Sequence, residues 1–222
     1  MPRPWRQFMN DADNYVVGHI YALEANSVNE LFAEYERAYH RMAIGLEGLQ
    51  SQYGTGDTWS ATDAGYRERT ERLLAQISRE MEGLSLSSQD MILRNAMQSY
   101  YGGFLGRAWI SETLAGRDLT MPLLPTTAVR AAIMKPYEGS TFVDRLKANE
   151  ADFQARIRRS IVQSQIEGES VYQAQKRIAN ELGLAIDRRR KADKQANKGA
   201  FNRTQMIART EILRTSNLGS LA

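Results

Sequence analysis

Ile207-Ala208-Arg209-Thr210-Glu211-Ile212-Leu213-Arg214-Thr215-Ser216-Asn217 is the stretch on which the reading of this chain turns. It contains no glycine or proline. Asn202 followed by Gln205 supplies the spacing of a capping box, so a helix is expected to start at Asn202 and run through the stretch. At about 100° per residue, Arg214 falls about 40° and Asn217 about 20° from Thr210. Met206, Ile207 and Leu213 fall on the same arc, so Thr210, Arg214 and Asn217 are expected to point where the apolar residues point. Glu211 precedes Arg214 by three residues, a spacing that permits an ion pair. Arginine and asparagine turned toward a core are costly unless fully hydrogen-bonded. Two readings stay open: an internal polar network that clamps neighbouring helices or loop carbonyls, or a pocket built from the same atoms. Acid–base chemistry at Glu211 normally needs a second titratable partner, and none is fixed by spacing.

Upstream, helical periodicity recurs and no strand pair reads convincingly, so the chain is expected to be mainly α. The first residues show no sustained period and read as an extended arm over 1–25, anchored by Trp5, Phe8 and Tyr15. From about Asn26, Leu31, Tyr35, Met42, Leu46 and Leu49 recur at helical steps toward a stop at Tyr53-Gly54. A second helix is expected from Thr62 or Asp63 to Gly83, and a third from Ser87 or Ser88 toward Gly116. Gly102, Gly103 and Gly106 inside that third helix each cost about 1 kcal/mol against alanine, which points to a closely approaching backbone. Pro122, Pro125 and Pro136 mark a boundary near residue 120. The expected architecture is an N-terminal helical bundle, 26–119, followed by a smaller helical domain, 120–222. In the latter, Ser140 opens a helix that stops at Gly168, and Ser170 with Gln173 caps a short one ending at Gly183.

Of the 222 residues, 42% are hydrophobic and 25% charged, values that disfavour wholesale disorder. No apolar run approaches the roughly 18 residues a bilayer requires, and the first residues lack the apolar core of a secretory signal. The absence of cysteine rules out disulfides, a thiol nucleophile and cysteine-based metal sites. The two histidines, His19 and His40, show no metal-ligand spacing; neither a metal nor any other cofactor is expected, and no catalytic residue is assigned. The net charge of +3 conceals an asymmetry. Residues 156–214 hold 14 basic and 6 acidic side chains, a local +8, which leaves −5 for the rest. Arg188, Arg189, Arg190, Lys191, Lys194 and Lys198 form a polar, aperiodic cluster without interleaved aromatics, unlike a base-stacking single-strand binder. Arg156, Arg158 and Arg159 are candidates to extend it. Phosphate contact without sequence preference and a merely solvated basic face both remain open.

Three passages together carry a family resemblance. They are Pro136-Tyr137-Glu138-Gly139-Ser140-Thr141-Phe142-Val143-Asp144-Arg145-Leu146; Ile161 through Gly168-Glu169-Ser170 with Ile178 and Leu182; and Ala208-Arg209-Thr210-Glu211 with Arg214 and Asn217. In order and spacing, roughly Pro136 to Leu218 resembles the head-morphogenesis domain of phage Mu F-like minor head proteins. Thr210, Glu211, Arg214 and Asn217 match its most recognisable run. The resemblance implies a low-copy structural component of a tailed-phage virion, assembled in the host cytoplasm. Its implied partners are the portal or major capsid protein and packaged double-stranded DNA, with no membrane. It implies aid to head assembly, DNA packaging or ejection, and no catalytic activity. Relatives often continue beyond this helix into a polar and aromatic segment. The alternatives are a sequence-independent DNA-binding protein and, further off, an enzyme of transferase or nuclease type centred on Glu211.

Overall fold

The computed structural model describes residues 5–53, 66–118, 121–184 and 199–221. Six helices account for most of them: α1 (Trp5–Tyr53), α2 (Tyr66–Ala115), α3 (Thr126–Ile133), α4 (Phe142–Ile166), α5 (Val171–Leu182) and α6 (Ala200–Leu221). The only β pairing among the described residues is an isolated bridge between Tyr137 and Ser140. The mainly α expectation holds.

Two boundaries read from the sequence are corrected. The expected arm over 1–25 is helical from Trp5 onward, as the start of a 49-residue helix. Leu23 is its one buried position among the described residues, in phase with Ser27, Leu31 and Tyr35 farther along the helix. Because only that position is buried, and the aromatic Tyr15 and Tyr21 are exposed, hydrophobicity alone conceals the period. The expected stop at Gly83 is also absent, since α2 is one helix of 50 residues. Thr70, Leu74, Ile77, Met81, Leu84, Ser88, Met91 and Asn95 are buried at alternating steps of four and three. That unbroken stripe outweighs the roughly 1 kcal/mol that one interior glycine costs. Ser87 and Ser88 therefore lie mid-helix and cap nothing.

The chain forms two compact units, each assembled from separated segments rather than in the consecutive order expected. One comprises Met1–Glu30, Gln89–Val143 and Gln205–Ala222; the other Leu31–Ser88 and Asp144–Thr204. α1, α2 and α6 each contribute to both.

The first unit is organised by a close crossing of α2 and α6. A Cβ added to Gly103 would lie 2.2 Å from the Ser216 carbonyl oxygen, and one added to Gly219 would lie 2.0 Å from that of Tyr100. Only glycine permits this backbone-to-backbone approach. Ser99 Oγ donates to the Ile212 carbonyl at 2.7 Å in the same crossing. Gly102 and Gly106 face α1 instead, at the His19 and Val16 side chains. Asn95 Nδ2 donates to Ser27 Oγ at 2.6 Å, which in turn donates to the Leu23 carbonyl.

In the second unit Leu146, Phe153, Ile157 and Ile161 of α4 are buried, as are Leu31, Tyr35 and Met42 of α1. Each such side chain contributes about 1.5–3 kcal/mol when fully buried. The sequence reading of α5 holds in detail: Ser170 and Gln173 form a reciprocal capping box, and Gly183 closes the helix in the left-handed conformation at φ 84°. Arg177 ties α5 to the preceding turn through Glu167 and Glu169, at 2.8 and 2.5 Å. Hydrogen bonds from that guanidinium, against the opposing effect of burial, hold the Glu169 carboxyl below its ordinary range, and they raise Arg177 in turn.

Candidate functional site

Four side chains of α6 were singled out by sequence, and the structure separates them. Glu211 is completely buried and Arg214 nearly so, with side-chain exposures of 0% and 14%. Arg214 Nε and Nη2 donate to Glu211 Oε2 at 3.0 and 2.7 Å. The other edges of the guanidinium reach the end of α3, where Nη2 donates to the Ile133 carbonyl and Nη1 to that of Lys135 at 3.4 Å. The last carbonyls of a helix have no partner within it and carry a partial negative charge. Arg214 thus caps α3, and Glu211 compensates the charge of the arginine that does so.

Thr210 donates instead to the Met206 carbonyl one turn back, and Asn217 is exposed. The predicted direction of the helix face is therefore corrected. Met206 and Leu213 are exposed at 69% and 42%, whereas Ala208, Glu211, Ile212, Thr215 and Ser216 are buried. Of the arc drawn through Met206, Ile207 and Leu213 only Ile207 is buried, and the buried face is rotated away from it toward a mixture of small, polar and isoleucine side chains. Thr215 satisfies its hydroxyl against the Glu211 and Ile212 carbonyls at 2.7 and 3.2 Å.

The turn beneath the guanidinium was not foreseen. Tyr137 and Ser140 exchange backbone hydrogen bonds at 2.9 and 3.3 Å across Glu138 and Gly139. Both central residues have positive φ, 50° and 84°, the signature of a type I′ turn. Glu138 is the only described non-glycine residue with positive φ. The turn sets the Tyr137 ring 5.9 Å from the Arg214 guanidinium carbon, within cation–π range. Gly139 was the one signal available in Tyr137-Glu138-Gly139-Ser140, since glutamate is not among the residues that favour the first central position of this turn.

A second feature of the same unit escaped the sequence reading. An apolar cavity of about 740 Å³ is lined by Tyr15, Phe104, Leu105, Trp109, Met121 and Leu123, with Asp11 and Glu112 contributing carboxylates. Tyr15, Leu105, Trp109 and Leu123 are all well exposed. Tyr15 was expected as an aromatic anchor; the side chains of Trp5 and Phe8 lie outside the described residues.

In the other unit a neutral network surrounds the first turn of α6. The Tyr35 hydroxyl meets Thr204 Oγ1 at 2.7 Å and the Ala200 carbonyl at 3.2 Å. Asn149 Nδ2 donates to the same two groups, at 2.9 Å to Ala200 and 3.0 Å to Thr204. Phe201 packs edge-on against Phe32 and Tyr35. Burial pushes the Tyr35 phenol far above its ordinary range, against the opposing effect of its hydrogen bonds to Thr204 and Asn149.

Arg188, Arg189, Arg190, Lys191, Lys194 and Lys198 lie outside the described residues. Of the arginines proposed to extend their patch, Arg156 is bound to Glu181 at 3.1 Å and Asp152 at 3.5 Å, while Arg158 and Arg159 are exposed. Among the described residues there is no cluster of three or more acidic or histidine side chains able to hold a metal ion, and no helix long and apolar enough to cross a membrane. Compared with known proteins, the chain matches no family model, no curated sequence and no solved structure.

Proposed function

We propose that this chain is a structural minor head protein of a tailed bacteriophage, seated at the portal or inner capsid, where it aids head assembly, DNA packaging or ejection. The family resemblance supplies that reading. The observation that carries it against an enzyme is the internal use of the Glu211–Arg214 pair. A carboxylate with no exposure, hydrogen-bonded to a guanidinium that caps α3, is suited to fixing a fold rather than meeting a substrate. The exposed apolar cavity beside Tyr15 and Trp109 supports an interaction role, since large exposed apolar surfaces are commonly covered by partners.

Cryo-electron microscopy of particles assembled with and without the gene tests the proposal. An assembly role predicts altered heads or reduced DNA content when the gene is removed. Unaltered heads filled with the normal amount of DNA contradict it. The +8 charge of residues 156–214 favours a second reading, sequence-independent DNA binding. That reading predicts affinity that falls steeply with salt, and loss of affinity when Arg188, Arg189, Arg190 and Lys191 are replaced by glutamine.

A further inference from the structure

In the Tyr35 unit, Ser88 Oγ and Asn149 Oδ1 are among the buried polar atoms that find no hydrogen-bond partner in the described protein groups. Ser88 is 1% exposed and Asn149 6%. Leaving one such group unsatisfied is costly, and native structures rarely leave two together. Both residues line the same small cavity, of about 10 Å³, together with Tyr35, Leu146 and Thr204.

The chemistry of the lining fixes what fits there. Asn149 commits both protons of Nδ2 to the Ala200 carbonyl and Thr204 Oγ1. The reverse amide orientation would set Oδ1 against the Ala200 carbonyl, two acceptors face to face. Oδ1 is therefore an acceptor that requires a donor. Tyr35 has a single hydroxyl proton, already engaged with Thr204 or Ala200. Ser88 Oγ makes no hydrogen bond to Asn149, and unlike Ser27 and Thr215 it does not turn back to its own helix. A cavity of this size is at the lower limit for one water molecule, and a buried water typically makes two to four hydrogen bonds.

We propose that a single internal water occupies this cavity, donating to Asn149 Oδ1 and bonded to Ser88 Oγ. Through Asn149 it links α2 and α4 to the Tyr35–Thr204 contact between α1 and the start of α6. It completes a four-helix polar junction that protein atoms alone leave open.

Ser88→Ala gives opposite signs for a wet and a dry cavity. With the water present, the substitution removes one of its anchors, and the melting temperature falls by about 2–4 °C. With a dry cavity, it removes an unsatisfied buried hydroxyl, and the melting temperature stays the same or rises, which overturns the proposal. A high-resolution crystal structure of the wild-type chain gives a second reading that does not depend on the variant. A density peak within hydrogen-bonding distance of both Ser88 Oγ and Asn149 Oδ1 is expected. A direct Ser88–Asn149 hydrogen bond, or no density between them, contradicts it.

Discussion

The two ends of α6 are anchored by different chemistry. The first turn enters a neutral network, in which Tyr35, Asn149 and Thr204 share hydrogen bonds around the Ala200 carbonyl. The later turns carry a buried ion pair, in which Glu211 holds Arg214 against the end of α3. The difference lies in what happens when one member is removed. A neutral network loses hydrogen bonds worth about 1 kcal/mol each, with a further cost for any group left unsatisfied. A buried ion pair leaves behind an uncompensated charge, and that costs about 3–5 kcal/mol. The charged end is the more fragile although its residues are fewer.

The largest effect should accordingly come from Arg214→Ala, which removes the buried Glu211 ion pair and uncaps α3. Urea unfolding should show a loss of about 3–5 kcal/mol. An equal loss from Arg214→Ala and Tyr35→Phe would erase the contrast between the two ends. Tyr35→Phe should cost about 1–2 kcal/mol near neutral pH, because Thr204 and Asn149 retain each other. Its effect should also depend on pH. The folded-state pKa of Tyr35 lies above the unfolded value, so its contribution is fully present below about 10 and declines as the pH rises beyond that. Melting curves of wild type and Tyr35→Phe should therefore converge above that pH; parallel curves would show that the phenol is not buried as described.

An acid limb is expected from a different pair. Arg177 holds the Glu169 carboxyl below its unfolded pKa, so stability from this contact is present above the ordinary carboxylate range. It is lost as the pH falls through that range toward the depressed value. Glu169→Gln should flatten this part of the pH–stability profile and change the alkaline limb little. The smallest effect should come from the turn beneath Arg214. Glu138 sits at φ 50°, where asparagine is tolerated better, so Glu138→Asn should raise stability by about 0.5–1 kcal/mol. A loss on thermal denaturation would indicate that the Glu138 side chain contributes more than its backbone costs.

Local chemistry was the most legible part of the sequence. Ser170 with Gln173, and Gly183 after α5, define that helix by contacts within a few residues. The i,i+3 spacing of Glu211 and Arg214 also announced its ion pair. What the spacing left out were the Ile133 and Lys135 carbonyls, backbone groups some eighty residues away in sequence. The orientation of α6 was misread for a related reason. Its buried face includes the small residues Ala208, Thr215, Ser216 and Gly219 beside Ile207 and Ile212, while Met206 and Leu213 remain exposed. Gly83 misled in the opposite sense, because a local breaker signal was overridden by a continuous buried stripe. Gly103 is the instructive intermediate case: its cost inside a helix pointed to close packing, and Gly219 is found among the groups that make that packing possible.

The central claim is that Glu211 and Arg214 work as one structural unit. A double-mutant cycle on unfolding free energy tests it most directly, using Glu211→Leu, Arg214→Met and the two combined. A coupled buried pair predicts that each single variant is strongly destabilised and that the double variant recovers much of the loss, because no unpaired charge remains. Additive losses, or single variants as stable as wild type, would contradict the account.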